Sequence, residues 1–200
     1  MANKDFTKEF ESIYKKHIKR EGADKLLEWL KGTDFFTAPA STKHHSNFAG
    51  GLVEHSVLTY QRFRKLLEQE YGAAFLAKDG MEESAAIIAL LHDVCKTNYY
   101  KTEMRNVKEN GAWVQKPVFV VDDQLPYGHG EKSVYMLGGF MRLNRDEAMA
   151  INWHMGAFDS RNSGFAGGQQ LSSAFQKYPL ALMFHVADLL TTYLDERIIK

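Results

Sequence analysis

Cysteine is almost absent: Cys95 is the only one in 200 residues. An internal disulfide is therefore impossible, which fits a reducing cytoplasm better than a secreted scaffold. Net charge is absent as well, because Lys and Arg total 25 and Asp and Glu total 25. That balance argues against a chain held to nucleic acid or to a membrane mainly by bulk charge, while a local basic funnel stays compatible with it. No apolar run approaches the length of a membrane span, and the opening MANKDFTKEF does not read as a signal peptide. Internal repeats, low-complexity tracts and a second-domain boundary are also missing. The expectation is one cytoplasmic domain over residues 1–200 with a sizeable core. Hydrophobic residues make up 44% and charged residues 25%, so disorder is not expected.

Histidine, by contrast, is prominent. His17, His44, His45, His55, His92, His129, His154 and His185 mostly stand beside glycines, at helix ends or on apolar helices. The stretch that organises the rest is Glu82 to Thr97, EESAAIIALLHDVCKT. Its nearly uninterrupted apolar residues predict a helix packed on most sides, ending in His92-Asp93 with Lys96 one turn later. Lys96 lies four residues from His92 and three from Asp93, so the three side chains can share a face. Burying imidazole, carboxylate and ammonium there costs several kcal/mol unless each is paired or bound to a cation. Two readings are open from this stretch alone: a metal with a phosphate beside it, or a core histidine with a helix-end ion pair. Cys95 reads first as a small buried hydrophobe, and as a ligand or reactive thiol only through its position.

Along the chain, Phe6–Arg20 and Ala23–Lys31 read as cover helices within residues 1–32, with His17 on a polar side. Residues 33–51 form a loop rich in small and polar residues, holding His44-His45 and Gly50-Gly51; the paired glycines permit close backbone approach or positive φ. A helix over Leu52–Tyr71 carries His55 early. From about 98 to 123 the composition shifts to Tyr, Val, Phe and Trp around Asn110-Gly111, which predicts a β-hairpin. His129 sits between Gly128 and Gly130, just ahead of a helix expected over Lys132–Arg142. Asn144 and Glu147 predict a capping box for a helix running to His154. Arg161–Gly168 reads as a flexible loop and a candidate lid. Pro179 opens a last helix, expected over Leu180–Ile199, on which His185 and Asp188 share a face. Arg142 and Arg145 read as solvated helix charges, with a phosphate contact as the second reading.

Taken together, His55, His92-Asp93 and Asp188 make a spaced pattern on three mostly apolar helices. This resembles the HD superfamily of metal-dependent phosphohydrolases over about residues 38–195. The resemblance extends to Ala38-Pro39-Ala40, His44-His45 and Gly50-Gly51-Leu52-Val53-Glu54-His55, which look like the HD half of a bacterial 3′→5′ exoribonuclease. Leu90-Leu91-His92-Asp93-Val94-Cys95-Lys96 is similar to the family's signature run. The resemblance implies a mainly α HD-domain bundle with a small β-hairpin insertion. It also implies that His55, His92, Asp93 and Asp188 ligate one metal. His129 and His154 match the two further histidines of two-metal members, with Asp93 bridging. Imidazoles and carboxylates suit one or two divalent Mn, Fe, Co, Ni or Zn ions better than Ca.

In that reading the metals bind phosphoryl oxygens and lower the pKa of a water. Lys96 offsets transition-state charge. His44, His45, Glu54 and His185 are candidates for fixing ligand tautomers, and equally for packed or surface residues. The implied activity is hydrolysis of a phosphoester in a nucleotide, cyclic nucleotide or short oligonucleotide of RNA or DNA, away from membranes and with oligomeric state open. Two alternatives stand beside it: an HD-fold di-iron oxygenase, and a non-catalytic nucleotide-binding regulatory domain.

Overall fold

The all-round apolar stretch becomes the centre of the structure. A computed structural model of the chain describes residues 5–43, 46–109 and 111–196. His44, His45, Asn110 and the last four residues lie outside the described residues, as do the roles considered for the two histidines. Among the described residues there are eight α-helices and a two-stranded antiparallel sheet. The fourth helix, α4 (Met81–Leu91), buries every residue from Ser84 to Leu91. A helix apolar on all sides must be enclosed, and α4 packs against α1 (Phe6–His17), α3 (Gly51–Tyr71) and α6 (Arg145–Asn152). Ile87, Ile88, Leu90 and Leu91 are fully buried, each worth roughly 1.5–3 kcal/mol of transfer free energy.

The short helix α2 (Ala23–Lys31) adds Leu26, Leu27 and Leu30 to the same core. Helix α8 (Pro179–Leu190) opens on Pro179 as expected and packs on α3 and α6. The sheet is a ribbon of β1 (Tyr100–Glu109) and β2 (Ala112–Val121), with Tyr100 opposite Val121 and Lys108 opposite Trp113. Helix α5 (His129–Gly138) follows it, and α7 (Gly164–Lys177) lies between α6 and α8. No helix among the described residues is long and apolar enough to cross a membrane.

Several expectations about element bounds change. The central helix stops at Leu91, directly ahead of its expected end at His92-Asp93, and Val94–Lys96 form a 3-10 turn. Asp93 has φ −102° and ψ 18°, outside the helical well, which breaks the α ladder there. The helix after Gly128 begins at His129 and ends at Gly138, not at Arg142. Arg161–Gly168 is not a lid loop: Ser160–Asn162 form a 3-10 turn and α7 starts at Gly164. Gly167 serves close packing, since a Cβ there would stand 2.2 Å from the Arg161 carbonyl oxygen, whereas Gly164 takes a φ of 75° in open space. The last helix ends at Leu190, and Thr191–Asp195 continue as a π turn.

A polar knot joins the N-terminal helices to this core. Glu147 closes the expected capping box with Asn144, yet it is fully buried and also accepts from Arg20 Nη1 and Nη2 (2.7 and 2.8 Å) and Ser84 Oγ (2.6 Å). Removing it strands a half-buried guanidinium, so Glu147→Ala is expected to lower unfolding free energy by about 3 kcal/mol in a urea titration. Glu83, at the start of α4, accepts from the backbone N–H of Lys19 (2.6 Å) and Arg20 (2.9 Å). Burial pushes its carboxyl up, but these N–H groups and the Arg20 guanidinium hold it below 4.5. A depressed carboxyl stabilises fully above its unfolded value and loses that as pH falls through the folded value. The stability gap between the native chain and Glu83→Gln is therefore expected to be constant above pH 4.5 and to shrink in more acid solution. A pH-independent gap would contradict this.

Candidate metal centre

Asp93 lies 2% exposed at the foot of α4, and its two carboxylate oxygens face different partners. Oδ2 is 2.6 Å from Lys96 Nζ, 3.4 Å from His92 Nε2 and 3.5 Å from His55 Nε2. Oδ1 is 2.8 Å from His129 Nε2 and 3.7 Å from His154 Nε2. Asp188 Oδ1 approaches the first group, 3.3 Å from His55 Nε2, and the His55 and His92 Nε2 atoms are 2.9 Å apart. All six sequence-predicted ligand positions thus meet in one place.

Local folding explains how each side chain arrives. His55 sits near the start of α3, whose entry is fixed by Gly50 at φ 82° and by Gly51, where a Cβ would be 1.9 Å from the Ser46 carbonyl oxygen. Ala38 and Ala40 anchor the same entry through Leu52 N to Ala38 O and Ala40 N to Ser46 O, both 3.0 Å. His92 is the C-cap of α4, and the 3-10 turn that follows stacks Lys96 over Asp93 at i,i+3. His129 opens α5, His154 follows the end of α6, and Asp188 lies on α8.

The imidazole tautomers follow from their outer partners. His92 Nδ1 donates to the Ala89 carbonyl (2.9 Å) and His154 Nδ1 to that of Ile151 (2.6 Å). A carbonyl only accepts, so both rings carry the proton on Nδ1 and, when neutral, present an Nε2 lone pair to Asp93. His55 Nδ1 contacts Glu196 Oε1, and Ser46 Oγ donates to the other oxygen of Glu196 at 3.0 Å. His129 Nδ1 lies 3.4 Å from the Cys95 sulfur.

Charge is unevenly shared. Burial pushes Asp93 up, but Lys96, His92 and His129 outweigh it and hold the carboxyl well below its usual range. Asp188 is likewise held down by His55 against its burial. Burial lowers His92 and His129 despite Asp93, so both favour the neutral form that a metal requires. Burial opposes a proton on His55 as well, yet Glu196 and Asp188 raise it to about 10. Asp93 raises Lys96 against desolvation, while burial pushes the Cys95 thiol up to about 12, with Asp93 adding to it. The cluster therefore carries negative charge that Lys96 alone does not balance, and a proton on His55 absorbs part of it. A divalent cation would supply the same counter-charge.

Three groups have ligand atoms all within 4.8 Å of one another: His55, His92 and Asp188; His92, Asp93 and His154; Asp93, Cys95 and His129. These buried groups could hold a metal ion. No family model, curated protein or solved structure matches the chain. The reading of the site therefore stands on its geometry.

The groups open into a cavity of about 650 Å³, lined also by Lys96, Ser41, Thr42, Tyr99, Tyr100, Phe158, His185 and Tyr193. His185 Nδ1 donates to the His154 carbonyl (2.6 Å), so it steadies the turn that carries a candidate ligand. Glu54 is buried beside His55 but does not line the cavity, and Arg142 and Arg145 are exposed and away from it. Sequence reasoning missed Glu196, which reads as one of several charges in LDERIIK. Glu196 lies beyond α8 and the π turn that follows it, so α-helical spacing from Asp188 gives no signal for it.

Chelator-stripped protein is expected to gain thermal stability when Mn²⁺ or Zn²⁺ is added, by about 2.7 kcal/mol at a hundredfold excess over Kd. Asp93→Ala should abolish that gain. Glu196→Gln should weaken metal affinity about 10- to 100-fold in calorimetry. An unchanged affinity would remove Glu196 from this role.

Proposed function

We propose that the chain is an HD-type metal-dependent phosphohydrolase that cleaves a phosphoester bond in a nucleotide or short oligonucleotide. One observation carries the reading. A single buried carboxylate turns one oxygen to His55 and His92 and the other to His129 and His154, with an ammonium on the same carboxylate. That is the arrangement expected of a bridging ligand between two cations with an anion site beside it. The order of these residues along the chain agrees with the HD pattern that the sequence resembles.

In this reading His55, His92, Asp93 and Asp188 hold one divalent transition metal, and Asp93, His129 and His154 hold a second. Such ions supply Lewis acidity and a water of lowered pKa. The chain's own residues do the rest. Carbonyl-bonded His92 and His154 keep their Nε2 atoms aimed inward at no reorganisation cost, and Glu196 holds the His55 ring in place. Lys96 lies 13% exposed at the cavity wall, where its ammonium can contact a phosphoryl oxygen and stabilise the charge that grows there. Tyr99 and Tyr100 line the same cavity and offer ring faces to a base or sugar. The volume of about 650 Å³ falls within the range of small-ligand sites and suits a nucleotide.

The test is turnover of a nucleotide panel and of bis(p-nitrophenyl) phosphate by protein purified without chelator, with elemental analysis of the same sample. Asp93→Ala should lose both metal and turnover. Lys96→Met should keep its metal while kcat falls on the order of 10²- to 10³-fold, as for loss of one preorganised charge donor. Unchanged turnover in Asp93→Ala would refute the assignment. Oxygen consumption with iron bound, and no phosphate release, would favour the oxygenase alternative instead.

A further inference from the structure

Arg161 does not line the cavity, yet it joins the two chain segments that deliver His129 and His154 to it. It lies in the 3-10 turn Ser160–Asn162, with a side chain 22% exposed. Nε and Nη2 take the two oxygens of Asp159 (3.0 and 2.5 Å), a buried carboxylate two residues earlier. The Arg161 backbone N–H donates to Asp159 as well (2.9 Å), so the turn itself pre-orients the guanidinium. Nη2 also donates to the Asn152 carbonyl (2.8 Å) and Nη1 to the Asn152 side-chain oxygen (3.1 Å). Nη1 lies 2.7 Å from Glu131 Oε1 in addition. A guanidinium carries five N–H donors in a fixed fork, and each of them has a partner here. Its Cζ stands over the Trp153 ring, 4.5 Å from the ring centre.

The anchor points flank two candidate ligands. Asn152 comes two residues before His154, Trp153 directly precedes it, and Glu131 comes two residues after His129. His129 and His154 are the partners of Asp93 Oδ1, with ring centroids 5.0 Å apart. The two segments press together already: a Cβ on Gly130 would stand 2.3 Å from the Asn152 carbonyl oxygen, the same oxygen that accepts from Nη2. That contact limits how near they come, and a forked cation bonded to both fixes their direction. His55 and His92, by contrast, sit on α3 and at the end of α4, which pack on each other within the apolar core. We infer that Arg161 is a positioning residue that fixes the His129 and His154 imidazoles against each other through Glu131 and Asn152. Its consequence for a second cation on those two rings rests on the two-metal reading above.

The experiment compares the chelator-stripped full chain with Arg161→Met, which keeps an unbranched side chain and removes the fork. Mn²⁺ is titrated in by calorimetry. The native chain is expected to take up two equivalents. Arg161→Met should bind the first as before and the second about 10- to 100-fold more weakly, as for loss of a partner behind a metal ligand. Before Mn²⁺ is added, NMR reads the imidazole N–H protons that His92 and His154 donate to carbonyls. In Arg161→Met the His154 signal should be lost to exchange with water while that of His92 persists. Glu131→Ala cuts only the α5 anchor, and if Arg161→Met does not fold it should show the same selective loss of the second equivalent. An unchanged second equivalent, equal weakening of both equivalents, or persistence of the His154 signal would overturn the inference. One equivalent in the native chain, with the His154 signal still lost in Arg161→Met, would support the positioning role and count against the two-metal reading alone.

Discussion

The structure depends on the burial of one carboxylate. Asp93 is ionised in an environment that by itself would neutralise it, because Lys96 and four imidazoles converge on its two oxygens. Those partners come from α3, the end of α4, the 3-10 turn, the start of α5 and the turn after α6, with Asp188 from α8 closing the ring. If one element shifts, the carboxylate loses a partner at a cost of several kcal/mol. The buried anion therefore constrains the relative placement of the helices as much as the helices constrain it. Lys96 and a proton on His55 do not balance Asp93, Asp188 and Glu196, and a cluster with that imbalance could hold a cation.

The polar cluster is affordable because its surroundings are rigid. Helix α4 is enclosed on all sides, so the backbone that delivers His92 and Asp93 has little freedom to move. At the N-terminal end of α4, the Arg20–Glu147–Ser84 knot fixes how α6 lies against it, and α6 leads directly to His154. Capping Glu147 thus looks local in the sequence but sets the position of a candidate ligand some way along the chain. His185 extends the same logic from α8 by holding the His154 carbonyl.

How much of this the sequence disclosed depends on whether the signal was local. The buried character of α4, the Asn144–Glu147 cap, Pro179 at the start of α8 and the hairpin all follow from composition, spacing or turn chemistry, and all are present. His55, His92, Asp93 and Asp188 stood out as a spaced pattern, while His129 and His154 came only from the family resemblance, since no periodicity argument alone joins His129 to Asp93. Glu196 was missed because its role depends on a π turn that swings it back onto His55, and nothing in LDERIIK announces that turn. The glycines of RNSGFAGG suggested mobility, whereas Gly167 is small because Arg161 and Asn162 pass close by. Glycine content reports permission for an unusual backbone or contact, and only tertiary structure says which was used.

The ribbon poses the opposite problem, an element with too few internal partners. Both of its strands are edges, and exposed edges ordinarily recruit further strands. Here Pro117 removes a backbone donor from β2, and charged residues recur along both strands, devices that discourage strand addition. Val107, Val114, Val118 and Val120 are partly covered on one face, while Met104 and Trp113 on the other stand in solvent. That surface leads to the cavity wall at Tyr100 and Val121.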